Sequence, residues 1–149
     1  MEWFTGYRAM GSDLSAIVRL RRHSVEEKQK MLADLYRQVE TFEVRKNQLL
    51  KSLQKEREAL EKTEDLAMLG YFGTFSEAVE SDIERLEEEL AKLEVRVRIA
   101  QDDMREAFAN LKRVEIVQRN RREEEKKEIG ARETKEMDDI GIEGFRRKE

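Results

Sequence analysis

The chain has 149 residues, enough for one domain, and 43% of them are charged against 7% aromatic. Its net charge of −4 carries no basic excess of the kind that points to nucleic acid, and the lack of cysteine excludes a disulfide framework or thiolate metal site. No run approaches the roughly 18 apolar residues of a membrane span, and the N-terminus lacks the apolar core of a signal peptide. The expectation is a soluble, cytoplasmic protein without membrane insertion. Proline is absent, although average usage would supply about seven, so helices can run unbroken.

Residues 1–11, MEWFTGYRAMG, hold Trp3, Phe4 and Tyr7 with no clear period. They read as a disordered leader, with Met10 as an alternative start. A helix is predicted over 13–69, with Ser12 or Asp13 able to cap its first free amides. Its heptad a positions are Val18, Val25, Leu32, Val39, Lys46, Leu53, Leu60 and Ala67. The d positions are Arg21, Lys28, Leu35, Phe42, Leu49, Glu56 and Thr63. This seam is apolar in its middle and polar elsewhere. Lys46 on it costs stability but can fix register.

A break is predicted at 70–74, Gly-Tyr-Phe-Gly-Thr. Two glycines suit the end of a helix, and Thr74 with Glu77 three residues later fits a capping box. The second helix is predicted over 75–140. It carries the clearest pattern in the chain: Val79, Ile83, Leu86, Leu90, Leu93, Val97, Ala100, Met104, Ala107, Leu111 and Val114 alternate by three and four, and nearly everything between is polar. One helix cannot bury such a seam alone.

The short connection favours an antiparallel neighbour within the chain. The predicted fold class is therefore all-α, a long two-helix antiparallel coiled-coil hairpin, in preference to a parallel dimer. With the turn centred near Phe72, Phe42 is expected near Ala100, Leu35 near Ala107, Val39 near Met104 and Leu32 near Leu111. Both seams turn polar at matching heights, at Gln118, Arg121 and Glu125 on one side and at Lys28 and Arg21 on the other. That coincidence supports a monomer.

The tail after Gln118 is dense in Glu, Lys and Arg at helical spacing, but Gly130, Gly141 and Gly144 weaken it, and it is expected to fray. Charge is uneven. Between Glu77 and Glu94 eight carboxylates accompany two cations, whereas five cations and two carboxylates lie between Arg19 and Lys30. Solvated helix faces explain this; so do two ends that meet different partners.

Catalytic chemistry is nearly absent. His23 is the single histidine and lies in a basic run, so it reads as a surface residue. The side chains of the Glu87-Glu88-Glu89 triplet point in different directions on a helix, which argues against a metal site. No phosphate-binding glycine loop or nucleophile constellation occurs, so no enzyme and no cofactor are expected.

Three stretches resemble one family. IVRLRRHSVEEKQKMLADL from Ile17 to Leu35 is similar to the first helix of the flagellar export protein FliJ family. GYFGTFSEAVE is similar to that family's aromatic-containing turn. LKRVEIVQRNRREEE and RETKEMDDIGIEGFRR resemble its charged helix and its C-terminal motif of acids followed by arginines. The resemblance runs from about Ser12 onward; Gly141 and Gly144 interrupt the last motif.

It implies a non-enzymatic coiled coil like the central stalk of rotary ATP synthases, in the cytoplasm, peripheral to the inner membrane at the flagellar base. The implied partners are the hexameric export ATPase, the cytoplasmic domain of the export gate and the export chaperones. Carried over by motif, Arg19, Arg21, Arg22, Glu133, Asp138, Phe145, Arg146 and Arg147 are candidate ATPase-side contacts. Tyr71, Phe72, Phe75 and Val79 are candidate gate-side contacts. The equivalent stalk of a virulence secretion system, a generic coiled-coil scaffold and a homodimeric partner of another machine are the competing readings.

Overall fold

The computed structural model describes the backbone of residues 2–148 and the side chains of residues 14–148. It contains two helices packed against each other, α1 (Glu2–Glu61) and α2 (Leu66–Lys148), and no strand among the described residues. The fold is an all-α helical hairpin with two compact units. The first comprises Met1–Val25 and Ala107–Glu149, and the second Glu26–Glu106.

In the second unit the a and d positions of both helices form the interior. Leu53, Val79, Leu93 and Ala100 are buried, and Leu32, Leu35, Val39, Phe42, Leu49, Ile83, Leu86, Leu90, Val97 and Met104 are half-buried. Two polar contacts cross the seam. Gln101 Nε2 donates to the Tyr36 hydroxyl at 2.8 Å, and Lys46 Nζ meets Glu87 Oε1 at 3.1 Å. As the α1 number rises the α2 number falls, so the segments are antiparallel. Lys46 thus spans from its seam position to an outer carboxylate, which keeps its stem among apolar neighbours and its charge at the edge.

In the first unit Val18, Val25, Ala107 and Leu111 form a buried cluster, with Val114 packed against it. Gln118 Nε2 donates to Ser15 Oγ at 3.3 Å, and Arg22 pairs with Glu115 at 3.5 Å. Every seam position from Val79 to Val114 is buried or half-buried within its unit, as the three-four alternation predicts.

The connection differs from expectation. The break lies at 62–65, not 70–74. α1 closes with tight bonds from the Lys62 and Thr63 amides to the carbonyls of Ala59 and Leu60, and Thr63 Oγ1 donates to the Ala59 carbonyl at 2.7 Å. Asp65 then caps α2 by accepting from the Ala67 amide at 3.1 Å.

The physical reason is that the α1 seam has already failed. Glu56 and Thr63 are exposed d positions, and Leu60 is its last half-buried residue. Gly70 and Gly73 lie inside α2, no glycine among the described residues has positive φ, and an added Cβ at either position meets nothing within 4 Å. Thr74 does not cap; its Oγ1 donates back to the Gly70 carbonyl at 3.3 Å.

The register moves with the break. Ala107 and Leu111 pack with Val18 and Val25, not with Leu35 and Leu32, and Gln101 meets Tyr36 where Phe42 was expected beside Ala100. Within each unit α2 is displaced along α1 by about nine residues, roughly 13 Å at 1.5 Å per residue.

Both chain ends also differ. α1 begins at Glu2, inside the stretch read as a disordered leader; the side chains of Trp3, Phe4 and Tyr7 lie outside the described residues. α2 continues through the expected fraying point to Lys148. Its last turn holds Arg146, Arg147 and Lys148, whose charges complement the negative end of the helix dipole.

Two substitutions check this arrangement. Leu111 is 7% exposed, so Leu111→Ala should destabilise by about 2–3 kcal/mol in urea unfolding, the low end for a leucine because a thin seam can close around the gap. Half-buried Leu90 should cost less. Gly73→Ala should raise stability by up to about 1 kcal/mol, since alanine is the better helix former; a loss would return the turn to 70–74.

Candidate protein-binding surfaces

The candidate residues fall into two groups, one in each unit. In the second unit the break leaves the first turns of α2 without a seam partner, and residues 61–71 are all exposed. Tyr71, at 62% exposure, stacks on Phe75 with ring centroids 6.3 Å apart and planes 15° apart, the offset expected of residues four apart on a helix. Phe72 and Phe75 are half-buried. Phe72 lies on the continued seam, seven residues before Val79. Val79 is 6% exposed, so its side chain belongs to the interior and is closed to a partner in this structure.

Three exposed residues in the same stretch escape the sequence reading: Leu66 at 83% exposure, Met68 and Leu69. Periodicity alone puts them in the first helix and gives them no surface role. The signal that finds them is Thr63-Glu64-Asp65, where Asp65 is a ready cap and the α1 seam has just turned polar.

In the first unit Arg19, Arg21 and Arg22 are exposed on α1. Arg22 is engaged by Glu115, which also pairs with Lys112 at 3.7 Å. Glu133, Asp138, Phe145, Arg146 and Arg147 are exposed on α2. The structure does not bring these two sets together. From Glu115 to Glu133 is about 27 Å along the helix at 1.5 Å per residue. Beyond Gln118 every residue through Lys148 is exposed, including Ile129, Met137, Ile140, Ile142 and Phe145.

No group of three or more His, Cys, Asp or Glu able to hold a metal occurs among the described residues. Shallow grooves run along the second unit. One, about 430 Å³, lies between Val39, Lys46, Glu87 and Leu90; another, about 380 Å³, lies between Met31, Leu35, Ile99 and Ala100. No helix among the described residues is long and apolar enough to cross a membrane. The arrangement offers side-chain surfaces to other macromolecules.

Comparison with curated proteins and with solved structures returns no match. The sequence model of the family described as "Flagellar FliJ protein" matches residues 10–149, nearly the whole chain. A seam-paired helical hairpin with that match is a coiled-coil protein of flagellar type III export, and the chain belongs to the FliJ family.

Proposed function

We propose that this chain is a non-enzymatic stalk of the flagellar export apparatus that associates with the hexameric export ATPase and links it to the cytoplasmic domain of the export gate and to export chaperones. The observation that carries the reading is the family match across both helices of a hairpin whose exposed apolar side chains lie largely outside the seam. The first unit holds both chain ends and supplies the ATPase-side surface, through Arg19, Arg21 and Arg22 on α1 and Glu133, Asp138, Phe145, Arg146 and Arg147 on α2. The second unit holds the turn and supplies the gate-side surface, through Tyr71 with the exposed edges of Phe72 and Phe75.

The protein acts as a monomer in the cytoplasm, peripheral to the inner membrane at the flagellar base. The family match favours the flagellar system over a virulence counterpart or a generic scaffold.

Two variants separate the surfaces. Tyr71→Ala removes an exposed ring, so stability should stay within about 0.5 kcal/mol while affinity for the purified gate domain falls by about 1–2 kcal/mol. Removal of residues 133–149 takes away no buried residue of the first unit, so the hairpin should stay folded by circular dichroism and lose binding to the ATPase hexamer. Normal binding of both partners by both variants would overturn these assignments. Failure of the intact protein to bind either partner would overturn the function itself.

A further inference from the structure

The apolar seam of α2 is too regular to choose its own register. From Val79 to Val114 it keeps one three-four alternation, so a second helix re-pairs with it at every step of seven residues. Polar contacts, the turn and the helix ends must decide between those steps, and they leave one neighbouring step open.

Lys46 lies on the α1 seam and pairs with Glu87 at 3.1 Å. The groove around it is lined by Glu94 as well, one heptad further along α2. A slip of three or four residues would bring Leu90 or Ala91 to the ammonium, whereas a full heptad brings Glu94 into the place of Glu87. The connection allows the same step. In the observed register, the contacts of Lys46 with Glu87 and of Tyr36 with Gln101 put the midpoint between paired residues within 66–69. The break lies before that, at 62–65, so the start of α2 overhangs. One heptad on, the midpoint falls inside 70–74, Gly-Tyr-Phe-Gly-Thr, and the overhang vanishes. That stretch keeps turn chemistry which its present place in α2 does not use. An added Cβ at Gly70 or Gly73 meets nothing within 4 Å, and Thr74 with Glu77 has the spacing of a capping box. Residues 62–69 then prolong α1, with Ala67 at the a position that follows Leu60.

The first unit decides which register prevails. There Arg22 pairs with Glu115, and Gln118 donates to Ser15. The same step puts Arg22 beside Arg122 and Val25 opposite Gln118, so the observed register is the major one. α1 and α2 each run unbroken through both units, so the step is shared.

We infer that this hairpin is a two-register device. α1 and α2 step past each other by one heptad, about 10 Å. The major register is closed by 62–65 with Lys46 on Glu87, and the minor one by 70–74 with Lys46 on Glu94. A partner that favours one register in the first unit thereby selects the turn in the second. The step itself needs no partner, so it stands apart from the proposed function.

The chain has no cysteine, so two introduced thiols report one distance. In the full chain, Tyr36→Cys with Gln101→Cys marks the observed register and Glu43→Cys with Gln101→Cys the stepped one. Leu50→Cys with Gln101→Cys marks a second step that no turn supports. These sites are exposed or half-buried and leave Lys46 and its carboxylates in place. Cross-linking is followed over time with a bismaleimide shorter than one heptad step, and products within one chain are scored. The Tyr36 pair should react fastest. The Glu43 pair should react at least about tenfold faster than the Leu50 pair, as a register populated at the per cent level requires. Glu94→Gln should slow the Glu43 pair about threefold, while Glu87→Gln and Arg122→Glu should speed it by about as much. Should the thiols reduce helix content, fluorotyrosine NMR of the cysteine-free chain carries the test. Tyr71 should then show a minor second resonance that Glu87→Gln enlarges and Glu94→Gln diminishes.

A Glu43 pair no faster than the Leu50 pair overturns the inference. So does a Glu43 rate indifferent to both glutamine changes, which marks general opening of the seam, and so does a single Tyr71 resonance in every variant.

Discussion

An apolar stripe three or four residues apart on a helix has one remedy, a second helix laid along it. Everything else in this protein follows from where that remedy is on offer. α2 presents a continuous seam from Val79 to Val114, whereas α1 is apolar only in its middle. The buried side chains are few, among them Val18, Val25, Leu53, Leu93, Ala100 and Leu111. The valines and leucines among them are each worth roughly 1.5–3 kcal/mol when fully removed from water. Stability is therefore spread along a line, and the polar contacts that cross it matter for register more than for energy. Exposed or half-exposed pairs such as Lys46 with Glu87 contribute about 0–1 kcal/mol each, but a register slipped by less than a heptad would leave Lys46 on the seam without its carboxylate.

The same constraint explains what could be read from the sequence. Periodicity reports burial directly, so the seam residues of α2 and the hairpin class were legible from the alternation alone. Turn position was not, because two local signals competed. Gly70 and Gly73 are the more conspicuous, but glycine inside a helix costs only about 1 kcal/mol relative to alanine. The end of the α1 seam at Leu60, followed by the capping carboxylate of Asp65, outweighs that. The displaced turn carried the register with it, and so misplaced Leu35 and Leu32 against Ala107 and Leu111.

At the candidate surfaces, side chains that stand off the seam are exposed and Val79, which lies on it, is not. Tyr71 and Phe145 are open to solvent, whereas Val79 is a seam position and is buried. Leu66, Met68 and Leu69 went unnoticed because a misplaced helix end made them look like interior of the first helix. A family resemblance supplies roles but not the heptad phase of each residue, and on a two-helix protein that phase decides what a partner can touch. The apolar residues left outside the seam are thus as informative as those within it. They occur along both helices, Leu66, Met68, Leu69 and Tyr71 at the start of α2 and Met137, Ile140, Ile142 and Phe145 near its end among them.

The inequality of the helices, 60 residues in α1 and 83 in α2, has a thermodynamic consequence. Between Gln118 and Lys148 every side chain of α2 is exposed, so the helix there rests chiefly on its own backbone hydrogen bonds, close to the regime in which an isolated helix is marginal in water. Its amides should exchange with deuterated solvent through local helix–coil fluctuation at free energies near zero, while those from Leu93 to Leu111 wait for opening of the whole seam. A partner that clasps this extension would pay its ordering entropy at the moment of binding, which lowers affinity per unit of area but lets one helix end be gripped and released readily.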